Sequence, residues 1–212
     1  MKDLVIVCAG ATAHEVYSII EMINTEEIAK GNKPKYNILG FIDDNPNSRL
    51  QNYVKVPILG TIKDWQPKGE EVYALANSSP KAKEKIVNIL KPRGCKFETI
   101  IAPYSRVKPY AEIGEGSIIY AFNINNGAKI GKFVNIQGSI VAGRAVIGDY
   151  STTLGFSNIS PGPIGKRVYV GAGAVVLRSV GDDAVVGVGS IVVSKVKAGT
   201  KVFGNPAKRV EW

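Results

Sequence analysis

The feature that most constrains this chain is a dipeptide that returns at a fixed interval. Ile-Gly occurs at Ile113-Gly114, Ile130-Gly131, Ile147-Gly148 and Ile164-Gly165, 17 residues apart each time, and Val180-Gly181 follows after 16. A parallel register at Val170-Gly171 and Val186-Gly187 is also separated by 16. With 23 glycines in 212 residues, glycine follows a given isoleucine by chance about one time in nine, against a usual frequency near 7%. Four hits at one interval are therefore not accidental.

Inside each period the pattern is aliphatic, Gly, two variable residues, then a small or β-branched residue, as in Ile113–Ser117, Ile147–Ser151 and Val180–Ala184. Three near-hexads make one triangular coil of a parallel β-helix, with the aliphatic side chain inside and the small one in the tight corner. Stacked coils bury a continuous Ile and Val column, so several are needed before any is stable. The pattern settles a fold and carries no chemistry by itself. The segment Ser151–Ser160, with Gly155 and Phe156, departs from the hexads and reads as a loop leaving one coil, where function is often carried. Phe156 would there be an apolar contact for a substrate or a neighbouring subunit.

Residues 1–100 follow a different grammar. Leu4–Cys8 is a short apolar strand, and Val16, Ile19, Ile20 and Ile23 within His14–Ile23 fall on one helical face. Tyr36–Ile42, Pro57–Gly60 and Val72–Ala76 read as strands, and Lys81–Leu90 as a helix closed by Pro92 and Gly94. Strands alternating with helices imply βαβ units and a small parallel sheet.

Composition narrows the function classes. The hydrophobic fraction is 45% and the charged fraction 21%, ordinary for a globular protein, and no apolar run approaches the roughly 20 residues of a membrane span. Asp3 and the missing small-residue cleavage site make the N-terminus read as a first strand rather than a signal peptide. Cys8 and Cys95 have no metal spacing, so a reducing cytoplasm is the expectation. The net charge of +9 divides into +3 for residues 1–106 (15 basic, 12 acidic) and +6 for residues 107–212 (12 basic, 6 acidic). It is spread singly, without a basic run or interleaved aromatics, which disfavours nucleic acid. Two readings stay open: plain solubility, or anionic small molecules such as a nucleotide sugar or the phosphates of coenzyme A.

Further motifs punctuate the chain in order: Ala9–Val16 after the first strand, Gly40-Phe41-Ile42-Asp43-Asp44, Val56–Gly60, the repeats, and Gly204-Asn205-Pro206-Ala207-Lys208 at the end. In this order and spacing the chain resembles the bacterial sugar O-acyltransferase family, which includes sialic-acid O-acetyltransferase-like proteins and UDP-4-amino-sugar acetyltransferases. The resemblance implies an α/β, Rossmann-like nucleotide-sugar-binding domain at 1–100 and a left-handed β-helix acyl-CoA domain at 101–212. It further implies a homotrimer with acetyl-CoA in grooves between neighbouring helices, acting in surface glycan or polysaccharide synthesis. The substrate contacts it indicates are Ala9, Gly10, Ala11, His14, Asp43, Asp44 and Asn77. Those for acetyl-CoA are Gly155, Gly171, Gly173, Gly189 and Lys208, with Arg209 beside the last.

Acyl transfer to a sugar hydroxyl or amine needs a base for the acceptor's proton and donors for the oxyanion. The family's base is a histidine just before an Ile-Gly-Asp-Tyr repeat. Here Gly143 stands in that position and Arg144 in that of the following aspartate, and the one histidine of the chain is His14. Three readings stay open: an enzyme using another base or a neutral acceptor amine, a homologue that binds ligands without turnover, and a scaffold. Arg144 is a poor base but a good ligand for carboxylate or pyrophosphate; Asp149, Tyr150 and Glu115 are unranked candidates.

No metal is expected, since β-helix carbonic anhydrases need three histidines. A nicotinamide dehydrogenase would want G-x-G-x-x-G where Ala9–Ala13 has a single glycine. Other residues have structural duties that compete with binding: Asp43 and Asp44 as turn residues before Asn45-Pro46, Asn77–Ser79 as a helix cap, and the corner glycines as steric necessities. His14 could equally be an exposed first-turn residue or a phosphate contact at a helix N-terminus.

Overall fold

The computed structural model describes residues 1–45 and 54–211. The chain divides into two compact units, one of residues 1–78 and 82–103, the other of residues 79–81 and 104–212.

The first unit is built on a five-stranded parallel sheet. Its strands are β1 (Lys2–Val7), β2 (Tyr36–Ile42), β3 (Ile58–Gly60), β4 (Val72–Leu75) and β5 (Lys96–Phe97), ordered β3-β2-β1-β4-β5. Leu4, Val5, Ile6 and Val7 are fully buried in the central strand. That is why β1 reads as a continuous apolar run rather than an alternating one. Helix α1 (Ala11–Ala29) follows β1 and buries Ala13, Val16, Ile19 and Ile20. It runs beyond the amphipathic stretch at both ends, because nothing in 24–29 breaks a helix before Gly31, at φ +81. Helix α2 (Pro80–Leu90) begins on its proline and is followed by a short 3₁₀ turn that closes at Gly94, φ +92. Gly40 is required by packing: a Cβ there would lie 2.6 Å from the Pro57 carbonyl oxygen, where β2 and β3 converge. The stretch 46–53, including Pro46 of the expected turn, lies outside the described residues.

The second unit is a parallel β-solenoid with three faces. The first face stacks Ile118–Tyr120, Asn135–Gln137, Thr152–Thr153, Tyr169–Val170, Val185–Val186 and Lys201–Phe203. The second stacks strands from Arg106–Val107 to Ile191–Val192, and the third those from Glu112–Ile113 to Pro163–Ile164, continued by bridges through Val180 to Val196. The second residue of most strands points inward. On the third face Ile130, Ile147, Ile164, Val180 and Val196 are at most 5% exposed, each contributing roughly 1.5–3 kcal/mol of burial. Small residues fill the corners as expected: Ser117, Ser151 and Ala184 are fully buried.

The glycine of the repeat has a purely steric cause. A Cβ on Gly114 would lie 2.6 Å from the carbonyl carbon of Gly131, and one on Gly148 2.6 Å from that of Gly165. Backbones one coil apart approach too closely for any side chain, so the repeat needs glycine at an ordinary φ.

One expectation is corrected. Ser151–Ser160 is not a loop leaving the solenoid. Thr152 pairs with Asn135 and Tyr169, and Asn158 with Ile140 and Val175. What disturbs the hexads is a register change: Asn158 pairs 18 residues back with Ile140, whereas Pro163 pairs 17 back with Val146. The corner at 154–157 gains one residue and the corner at 160–162 loses one, so the 17-residue Ile-Gly interval survives. A buried hydroxyl cluster stands at the change. Ser139 Oγ meets Thr153 Oγ1 and Ser157 Oγ at 2.9 Å each and lies 3.1 Å from the Leu154 carbonyl oxygen.

Candidate functional site

In the first unit the expected substrate residues converge at the carboxyl ends of the strands. The strand order reverses at β1, after which the chain adds β2 and β3 on one side and β4 and β5 on the other. This is the switch point where open α/β sheets bind ligands. Cys8 leaves β1 with φ +76, its amide donating to the Ile42 carbonyl at 2.8 Å. Ala9 N–H donates to Asp43 Oδ2 at 2.6 Å, and Asn45 N–H to Asp43 Oδ1 at 2.7 Å. Asp44 Oδ1 accepts from Lys63 N–H at 3.0 Å. The Asn77 amide donates to Cys8 Sγ at 3.4 Å. Burial pushes the Cys8 thiol up to about 11, the Asn77 hydrogen bond partly offsetting it.

Asp43, Ala9, Cys8 and Asn77 thus form one bonded cluster, and the two carboxylates brace the strand-end loops. Gly10 caps α1 without a side-chain bond, and a Cβ there would meet nothing within 4 Å. No fold requirement accounts for glycine at this point; its effect is to leave the first turn of α1 and Ala11 open to an approaching group. His14 is exposed one turn further on.

In the solenoid the expected residues fall on three different corners. Gly143 and Arg144 occupy the turn 142–145, closed by Ala145 N–H to the Ala142 carbonyl at 3.2 Å. Arg144 has φ +62, in register with Gly127, φ +69, in the coil before. A Cβ on Gly143 would lie 3.1 Å from the Asn126 carbonyl oxygen.

Asp149 sits on the next corner and is engaged there. Its Oδ1 accepts from Lys132 N–H at 2.9 Å and its Oδ2 faces Lys166 Nζ at 3.6 Å. Asp182 repeats the arrangement, its Oδ1 accepting from Lys166 N–H at 2.9 Å. With Glu115 4.0 Å from Lys132 Nζ, this corner carries an alternating ladder of charge, Glu115, Lys132, Asp149, Lys166, Asp182. The adjoining positions hold Phe133 stacked on Tyr150, centroids 5.4 Å apart, and Arg167 paired to Asp183 through two bonds of 2.8 and 2.9 Å. Glu115, Asp149 and Tyr150, the candidate bases, are therefore members of an inter-coil brace. The sequence reading missed the ladder, although the 16- and 17-residue spacing of its alternating signs was visible.

Gly155, Gly171, Gly173 and Gly189 come together on the third corner, in the stacked turns 154–157, 171–174 and 187–190. Their reasons differ. Gly173 and Gly189 have φ +67 and +66, and a Cβ on Gly171 would lie 2.6 Å from Val188 N. Gly155 has neither constraint, with nothing within 4 Å of a Cβ. Beside it Phe156 is 78% exposed, its ring 5.6 Å from that of Phe122. Lys208 is exposed on the closing antiparallel strand, paired with Phe203.

Comparison with known proteins gives a consistent pattern. No family model matches. A serine acetyltransferase of Helicobacter pylori is 35% identical over 106 residues, covering 43% of this chain, and the chain spans 62% of that enzyme's length. WeeI from Acinetobacter baumannii superposes with a TM-score of 0.80 at 26% identity, covering 99% of this chain and 100% of the other. The perosamine N-acetyltransferase of Caulobacter crescentus, solved as a histidine-to-asparagine mutant with CoA and GDP-perosamine, superposes with a TM-score of 0.82 at 21% identity, covering 100% and 98%. Both structures share the fold of this chain over essentially its whole length.

Proposed function

We propose that this chain transfers an acyl group from acetyl-CoA to an amino or hydroxyl group of a nucleotide-linked sugar, in the synthesis of a surface glycan or polysaccharide. The observation that supports this reading is the likeness of fold over essentially the whole chain, sheet unit and solenoid alike, to a protein solved with CoA and a nucleotide sugar. The strand-end cluster at Ala9–Ala11, His14, Asp43, Asp44 and Asn77 would receive the nucleotide, the helix N-terminus favouring its phosphates. Acetyl-CoA fits the third corner: Gly155 and Gly189 leave space for a Cβ unfilled, so a pantetheine chain can lie against the backbone. Lys208 would meet its phosphates. CoA supplies the activated thioester carbonyl; the chain's part is to hold it and present the acceptor. In this reading the domains are 1–100 and 101–212, the coils wind left-handed and the first unit is Rossmann-like. The protein works as a cytoplasmic homotrimer, whose contacts are supplied by the exposed apolar residues Phe122, Ile140, Phe156, Leu177, Val188 and Val193. The relation to sialic-acid O-acetyltransferase-like proteins belongs to the same reading.

A second reading, a homologue that binds both ligands without turnover, is favoured by Gly143 and by the engagement of Asp149 in the ladder. Thiol release from acetyl-CoA against a panel of nucleotide-linked amino sugars, with calorimetric CoA binding on the same sample, separates the two. Acceptor-dependent release supports the enzyme. CoA binding without release supports the second reading, and absence of both leaves a scaffold. Gly143→His should raise turnover if a histidine has merely been lost, at the cost of moving the Asn126 carbonyl by a few tenths of an ångström; a fall from an already high rate would sink that idea.

A further inference from the structure

The positive charge of the solenoid gathers in its last coil. Residues 193–210 hold five cations, Lys195, Lys197, Lys201, Lys208 and Arg209, and no acid. Their spacing hides the concentration, and the fold produces it. The closing strand Lys208–Arg209 runs antiparallel to Lys201–Phe203, with Val202 opposite Arg209 and Phe203 opposite Lys208. Val202 is buried and Phe203 is 49% exposed, so Arg209 stands on the inner side of the strand and Lys208 on the outer. A cavity of about 690 Å³ lies between this strand and the turn at 197–200, lined by Lys197, Ala198, Gly199, Lys201, Arg209 and Glu211.

The coils above show what this corner does with a negative charge. Lys132 N–H donates to Asp149 Oδ1 and Lys166 N–H to Asp182 Oδ1, each at 2.9 Å. The amide of each cation rung thus takes a carboxylate oxygen brought by the coil that follows. Ala198 is next in this register: a Cβ on Gly165 would lie 2.6 Å from Asp182 N, and one on Gly181 2.5 Å from Ala198 N. The alternation makes Ala198 a cation rung, with Lys197 beside it supplying the charge. Among the described residues no coil follows to bring a carboxylate, and Ala198 N–H makes no hydrogen bond. The one acid of the cavity, Glu211, meets Arg209 at 3.3 Å, both side chains being largely exposed, which makes a weak pair. Three cations against Glu211 leave the lining at +2.

We infer that this cavity is a binding site for a phosphate group. One phosphate oxygen takes the place at Ala198 N–H that carboxylate oxygens take in the coils above, with Lys197, Lys201 and Arg209 around the rest. A phosphate monoester carries about −1.5 to −2 near neutral pH, which answers the lining where a single carboxylate would not. The site is separate from the place proposed for acetyl-CoA, whose glycine corner is at 187–190 and whose Lys208 faces the other side of the closing strand. It stands whether or not the chain transfers an acyl group. The phosphate of a soluble metabolite and that of a lipid headgroup present the same chemistry to it.

Calorimetry of the full chain with inorganic pyrophosphate, against chloride at equal ionic strength, tests the site. Sedimentation with phosphatidylcholine vesicles, with and without phosphatidate, tests the source. The variants are the double change Lys197→Gln with Arg209→Gln, and Ala198→Asp, which sets a carboxylate into the cavity; all three residues are exposed. Each variant should weaken pyrophosphate by about tenfold or more, the order of one charge-assisted contact. Thermal midpoints in phosphate-free buffer should stay within about 1 °C, and acetyl-CoA affinity should not change. Pyrophosphate binding without pelleting supports the site with a soluble ligand. Pelleting that needs phosphatidate and is lost in both variants supports it with a headgroup. Neither response in the wild type, a response that survives in both variants, or an equal loss of acetyl-CoA affinity, which would make the cavity part of the coenzyme site, would overturn the inference.

Discussion

Asp149 is the residue on which the ladder and a catalytic role make opposite demands. Removing its carboxylate in Asp149→Ala leaves the Lys132 amide, now bonded at 2.9 Å, without its charged acceptor. Such bonds contribute about 1.5–3 kcal/mol when buried, and the side chain is 32% exposed, so water replaces part of it and about 1–1.5 kcal/mol is a fair figure. The pair with Lys166 at 3.6 Å joins two partly exposed side chains and adds about 0.5 kcal/mol. The sum, about 1.5–2 kcal/mol, corresponds to a fall in thermal midpoint of about 3–8 °C for a chain of this size. Asp149→Asn keeps an Oδ1 acceptor, now neutral and about half as strong, and loses the pair, so its midpoint should fall by about 2–5 °C. Asp182→Ala, which removes the equivalent bond to Lys166, should fall within about 0.5 kcal/mol of the amide-bond share of Asp149→Ala. Scanning calorimetry of the three variants decides the matter. Asp149→Asn as damaging as Asp149→Ala, or an Asp182→Ala without effect, would refute the brace. A hundredfold loss of acyl transfer in Asp149→Asn, at a midpoint lowered by no more than about 5 °C, would show that a base had been taken for a strut.

Two further outcomes are expected. The Cys8 thiol is neutral when folded and its value is pushed up to about 11 by burial, against about 8.5 for a free cysteine. Its contribution is therefore full below about pH 8.5 and lost as pH rises towards 11; the wild type should lose stability over that window faster than Cys8→Ala, and parallel curves in a pH series of thermal midpoints would contradict this. On the third corner, Gly171→Ala should be strongly destabilising, since its Cβ would meet Val188 N at 2.6 Å, whereas Gly155→Ala meets nothing and should leave the midpoint within about 1 °C. If acetyl-CoA lies there, Gly155→Ala should weaken CoA binding in calorimetry without that loss, and unchanged affinity would move the CoA site elsewhere.

The solenoid was legible because its signal is periodic. An inward aliphatic residue, a glycine and a small corner residue recur in each coil, so Ile147, Gly148 and Ser151 announce their positions without reference to any other part of the chain. The same holds for β1, where Leu4–Val7 form an unbroken apolar run, and for the helical face of Val16, Ile19 and Ile20. That Gly143 and Arg144 leave no histidine in that turn needed only the residue order.

What only the tertiary structure decided are relations between coils. The Ile-Gly interval stays at 17 while one corner gains a residue and the next loses one, so a compensated register change looks like a loop at 151–160 until the strands are paired. Asp149 looked like a candidate base because its bonds run to Lys132 and Lys166, one coil away on either side. Gly171 and Gly155 are identical in sequence, yet one is demanded by a neighbouring backbone and the other by nothing in the fold. Arg167 and Arg144 share a left-handed turn position, and only the stacking shows that Asp183 reaches the first and no acid reaches the second. Periodicity reports which way a side chain faces; what it faces is set by residues 16 to 18 positions away, and that offset follows from corner lengths that hydrophobic pattern does not encode.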